Sequence, residues 1–100
     1  MPRNPELMRY NIAEMASALE GAEASLIEDF FYSLLTPSEA DEMAKRWALV
    51  KELADGTPQR RIAEDLGLSL CKITRGSREL KKEGASFRVL LARLKARAGA

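Results

Sequence analysis

The chain has 100 residues, of which 46% are hydrophobic and 31% charged, with a single cysteine, no histidine and a formal net charge of +1. A chain this short is one domain that buries about two thirds of its surface on folding, and its composition is that of a soluble globular protein. The missing histidine and the lone cysteine exclude a zinc site, a histidine-based catalytic triad and an internal disulfide. No apolar run approaches the roughly 20 residues that cross a bilayer, and MPRNPELMRY lacks the pattern of a secretion signal, so the expected location is cytoplasmic with no membrane contact.

Near-neutrality hides a division. Before Thr57 five basic residues face eleven acidic ones, and from Thr57 onward eleven basic residues face four, so the two parts carry −6 and +7. An acidic scaffold with a basic head is the implied arrangement. In the last helix Arg88, Arg93, Lys95 and Arg97 are equally well read as a solvated face.

No stretch alternates in the manner of a strand, and the apolar periodicity predicts an all-α chain of six helices at about 5–20, 23–35, 37–55, 58–66, 69–83 and 86–97. Asn4-Pro5, Thr36-Pro37 and Thr57-Pro58 repeat one starting device, a capping side chain before a proline in the first turn. Thr36 with Glu39 adds a capping box. Stops are expected at Gly21, Leu35, Asp55-Gly56, Gly67 and Lys82-Glu83-Gly84, with residues 96–100 frayed.

The first helix carries the stripe Leu7, Met8, Ile12, Met15 and Leu19. The second carries a broader one of Leu26, Ile27, Phe30, Phe31, Leu34 and Leu35. So wide a stripe suits a helix packed on two sides, as in a homodimer; a core helix of a compact monomer is the alternative.

Residues 59–82, QRRIAEDLGLSLCKITRGSRELKK, have the pattern of a helix-turn-helix. Ile62, Ala63 and Leu66 give the first helix a narrow apolar face, Gly67 can take the left-handed conformation that ends it, and Ser69 can cap the second. Leu70, Ile73 and Ser77 are expected to face back toward the first helix, while Lys72, Arg75 and Arg78 carry positive charge on the other side. A basic second helix after a glycine turn is what insertion into the major groove requires, although a solvated helical hairpin gives a similar pattern. Arg60, Arg61, Lys81 and Lys82 are the candidates for phosphate contact. Leu68, Ser69, Leu70, Cys71, Lys72 and Thr74 lie at or near the end of the second helix that would meet base edges.

Two motifs narrow the reading. Leu34-Leu35-Thr36-Pro37 with Glu39 and Arg46, and Ile73-Thr74-Arg75-Gly76-Ser77 followed by Leu80-Lys81, together resemble the tryptophan operon repressor family over residues 30–95. The turn near Thr57-Pro58 is one residue shorter than the family's. The resemblance implies a single domain over 1–100, with a dimerisation scaffold at 1–56, the helix-turn-helix at 57–84 and a C-terminal helix at 85–97. It implies an intertwined all-α homodimer on a palindromic double-stranded operator, with L-tryptophan as a non-catalytic corepressor. Arg46 and Arg75 match the arginines that sandwich the indole ring and bind the carboxylate, which suits guanidinium chemistry. Ser33, Leu35 and Thr36 match positions offered by the partner chain, and Gly76 leaves room beside the ring. The ligand would act as a wedge that selects the head angle able to grip DNA. In this family water carries much of the base readout.

Glu79 and Lys72 stand where the family usually has small hydroxyl residues, and Arg78 and Cys71 also depart from it. Glu79 either pairs with the ligand's ammonium or crowds the pocket. The alternative reading is a similar DNA-binding regulator that does not respond to an amino acid, recognisable if Glu79 and Arg75 pair across the site and fill it. The DNA-binding piece of a transposition or replication apparatus, which predicts a larger partner protein, is a third. An enzyme is disfavoured because Cys71 and the serines have no evident general base. A DNA-free interaction module leaves the basic part without a purpose.

Overall fold

The computed structural model describes residues 4–99, and the chain divides into two compact units, Met1–Ala40 and Asp41–Ala100. Among the described residues there are six helices and no strand: α1 (Pro5–Leu19), α2 (Ala24–Leu34), α3 (Pro37–Ala54), α4 (Gln59–Leu66), α5 (Leu70–Lys81) and α6 (Ser86–Ala98). Residues 37–40 of α3 belong to the first unit and 41–54 to the second.

In the first unit α1 starts as its sequence predicts. Asn4 Oδ1 accepts the Leu7 N–H at 3.0 Å, and Pro5 occupies the first turn, where no amide donor is needed. The capping box is present in full: Thr36 N–H donates to Glu39 Oε1 at 2.9 Å, and Glu39 N–H donates to Thr36 Oγ1 at 3.2 Å. The Thr36 amide also holds the Glu39 carboxyl below its ordinary value, with the hydroxyl adding to the effect. Neither α1 nor α2 has a buried residue. Leu7, Met8 and Ile12 of the first stripe are exposed, as are Leu26, Phe31 and Leu34 of the second.

The second unit has a small, dry core where α3, α4 and α5 meet. Leu49, Ile62 and Ile73 are 2%, 1% and 0% exposed, with Leu53, Ala63, Leu66 and Leu68 packed around them. Burying each large side chain fully contributes about 1.5–3 kcal/mol. The Ile62, Ala63 and Leu66 face is therefore seated as its spacing predicts. Gly67 closes α4 in the left-handed region at φ 63°, ψ 35°.

Three expectations fail. Leu70 does not face α4; it is 63% exposed, because it is the first residue of α5 and lies a turn beyond the crossing point that Ile73 fills. Thr57 does not cap α4. Its hydroxyl donates to Glu52 Oε2 at 2.7 Å and its amide to the Glu52 carbonyl at 3.0 Å, so it closes the end of α3. That donation turns the hydroxyl toward α3, and α4 begins after Pro58 with no side-chain cap bond. Residues 96–98 are helical, because the Gly99 amide reaches back to the Lys95 carbonyl at 3.0 Å and holds the last turn; position 100 lies outside the described residues.

Gly76 positions the site. A methyl group built on it would meet Leu49 Cδ2 at 3.1 Å and Leu53 Cδ1 at 3.4 Å. The bare α-carbon is what lets α5 lie this close to α3.

Candidate nucleic-acid interface and ligand cavity

Ser69 starts α5, its Oγ accepting the Lys72 amide at 3.4 Å, a long cap bond. At that end Ser69, Leu70, Cys71, Lys72 and Thr74 are exposed, five of the six expected to meet bases. Thr74 spends its hydroxyl on the Leu70 carbonyl at 2.8 Å. Leu68 instead packs on the core beside Leu66. The outer surface of α4 carries exposed Arg60 and Arg61, the latter 3.6 Å from Asp65. Lys81 and Lys82 are exposed at the far end of α5, so all four residues of the expected phosphate set are exposed.

Besides Arg61, two of these cations already have partners. Lys72 Nζ lies 3.1 Å from Glu42 Oε1 on α3, and Lys82 Nζ lies 2.9 Å from Glu79 Oε1. The Lys72 hydrogen bond, followed by the charges of Lys72 and Arg46, holds the Glu42 carboxyl below its usual value. Glu42 has no counterpart among the predicted site residues. Its signal was available, since it lies four residues before Arg46 and shares that face of the helix.

Between α3, α5 and the start of α6 is a cavity of about 590 Å³, within the usual range for small-molecule sites. Arg46 borders it from α3, and Arg75, Gly76 and Glu79 border it from α5. Leu49, Val50 and Phe87 give it an apolar wall, and Cys71 and Lys72 reach it from the reading end. Four of the seven predicted ligand residues thus share one cavity. Ser33, Leu35 and Thr36 lie in the first unit and do not line it. Leu49 and Val50 follow Arg46 at three and four residues and were legible as neighbours. Phe87 was not legible: it comes from another helix and is fixed there by a tilted contact with Trp47, ring centroids 6.5 Å apart.

Residues 10–95 match the family described as Trp repressor protein. The chain belongs to the Trp repressor family. Among its relatives is the "Trp operon repressor homolog" of Chlamydia caviae, 38% identical over 87 residues, covering 86% of this chain and 84% of that protein. Proteins of the same description from Chlamydia trachomatis serovar D and Vibrio cholerae are 38% and 40% identical, over 65% and 61% of this chain and 70% and 60% of their own lengths. No solved structure matches. Trp repressor family members are transcriptional regulators and not enzymes, and the all-α helix-turn-helix architecture is the family's.

Against that family the cavity reads as a charge-matched site. Two guanidinium groups, one ammonium and one carboxylate border it, and the carboxylate's pKa is lowered chiefly by its hydrogen bond from Lys82. Glu79 turns toward Lys82 and forms no bridge across the cavity to Arg75. No helix among the described residues is long and apolar enough to span a membrane, and no cluster of three potential metal ligands occurs among them.

Proposed function

We propose that this protein is a cytoplasmic repressor, of the tryptophan biosynthesis or transport type, that binds palindromic operator DNA as a homodimer when L-tryptophan occupies the cavity. One observation carries the ligand reading: cationic Arg46 and Arg75, anionic Glu79 and the apolar side chains of Leu49, Val50 and Phe87 border one cavity, the three kinds of group that a zwitterionic aromatic amino acid needs. Arg46 and Arg75 would take the carboxylate and stack on the ring; Glu79 would take the ammonium. Because Glu79 pairs with Lys82 and leaves the cavity open, the amino-acid-independent reading loses its distinguishing feature.

The homodimer is supported by the first unit, whose α1 and α2 bury nothing of their own. Segments of about 40 residues or fewer rarely fold without disulfides, metals or a partner. A second apolar cavity in the second unit, about 530 Å³ and lined by Leu53, Leu80, Leu91 and Leu94 with Lys51 and Lys95, offers the complement to α2, whose apolar stripe is flanked by Glu28 and Asp29. In that dimer Ser33, Leu35 and Thr36 of the partner would complete the ligand site. Arg60, Arg61, Lys81 and Lys82 would contact phosphates, and the exposed end of α5 would face the bases.

Calorimetric titration with L-tryptophan, using L-phenylalanine as the control, tests the reading. A saturable signal near one ligand per chain, absent for phenylalanine, is expected. No heat at two temperatures would reject tryptophan as the ligand.

A further inference from the structure

Glu79 stands between two functions. It borders the cavity beside Arg75 and Gly76, and its Oε1 accepts a hydrogen bond from Lys82 Nζ at 2.9 Å. That hydrogen bond is the largest cause of the lowered Glu79 pKa; slight desolvation opposes it, and the charges of Lys82 and Arg75 add to it. Lys82 caps the C-terminal end of α5, and its backbone is anchored independently of its side chain. The Lys82 carbonyl accepts the Ala85 amide at 3.1 Å and also Nη2 of Arg88. The side chain itself is 63% exposed, so it can swing to a new partner without disturbing that anchor.

We propose that Glu79 is a cation-exchange point at which the ammonium of a zwitterionic ligand displaces Lys82, and that the released Lys82 then pairs with a DNA phosphate. The proposal rests on the ligand reading above and adds the route by which the ligand reaches the DNA. Charge drives the exchange, not a shortage of lone pairs, since a carboxylate has room for several donors. Once the ligand's ammonium neutralises Glu79, Lys82 gains little by staying and more from a phosphate. Glu79 acts here as a positioning residue for Lys82.

The test follows DNA affinity against salt for the full-length protein, with and without L-tryptophan, in the wild type, Lys82→Met and Glu79→Gln, alongside calorimetry of ligand binding. In the wild type the ligand should steepen the salt slope by about 0.9 more than it does in Lys82→Met, the worth of one extra phosphate contact. Over a fourfold span in salt that is a roughly threefold larger change in affinity. Glu79→Gln should show the steeper slope without ligand, because its Lys82 is already free. Indole-3-propionate, which has the ring and carboxylate but no ammonium, should leave the wild-type slope where it was. Equal ligand-induced changes in the wild type and Lys82→Met, with saturable heat, would overturn the exchange alone. A ligand-free Glu79→Gln slope equal to that of the wild type would do the same. Absence of saturable heat would overturn the ligand reading, and the exchange with it.

Discussion

Replacing Gly76 with Ala sets two opposed effects of known size against each other. Within a helix interior, alanine is favoured over glycine by about 0.8–1.0 kcal/mol. Against this, the new methyl carbon would lie 3.1 Å from Leu49 Cδ2 and 3.4 Å from both Leu49 Cγ and Leu53 Cδ1. Leu49 is only 2% exposed and is packed with Ile62 and Ile73, so it can give way only toward the cavity it borders, at the expense of that packing. Overpacking of this kind costs about 1–3 kcal/mol. The net expectation is a loss of about 1 kcal/mol, or 4–8 °C in melting temperature for a domain of 60–100 residues. Thermal unfolding should be followed by circular dichroism at fixed protein concentration, because association would make the midpoint concentration-dependent. Leu49→Ala combined with Gly76→Ala closes the cycle: with the opposing side chain removed, Gly76→Ala should become stabilising. If Gly76→Ala alone raises the melting temperature, the close approach of α5 to α3 is not what holds glycine at this position.

Ser69→Ala should destabilise by about 0.5–1 kcal/mol, the low end for a cap because the bond to the Lys72 amide is 3.4 Å long, and amide exchange should quicken in the first turn of α5; unchanged protection there would remove the cap. Arg75→Ala should abolish tryptophan binding in calorimetry with helical content intact, and unaltered affinity would sink the ligand assignment. Lys81→Ala should weaken DNA binding across sequences and lower the salt slope by about 0.9, the share of one phosphate contact; the same slope would take Lys81 out of the phosphate set. Glu39, Glu42 and Glu79 are all held below the ordinary glutamate value by hydrogen bonds. Their contribution is therefore complete above about pH 4.3 and is lost as pH falls through the lowered values. Acid unfolding of Glu39→Gln should be shallower than that of the wild type, and superimposable curves would show that the capping box is not part of the acid response.

The helices were legible because each has a chemical boundary of its own. Asn4, the Thr36 and Glu39 pair, Gly67 and Ser69 act on amides no more than a few residues away, so sequence and structure agree there. Thr57 misled because it sits within reach of two helix ends, and only the fold decides that Glu52 is the nearer partner. Leu70 misled for a related reason: periodicity gives a residue's face but not how far along the helix its neighbour reaches. The cavity was half legible. Arg46, Arg75, Gly76 and Glu79 were marked by motif, whereas Phe87 and the Glu42 to Lys72 contact depend on which helices meet.

The count of +7 for the basic part overstates what a nucleic acid would encounter. Arg61, Lys72 and Lys82 each already face a carboxylate, at 3.6, 3.1 and 2.9 Å. Each of these pairs is largely exposed, so dissolved ions weaken it just as they weaken a contact with phosphate. A rise in ionic strength thus loosens the hold on DNA while it frees cations to renew that hold. When osmotic stress concentrates the salts around it, such a surface should change its grip less than its charge count suggests.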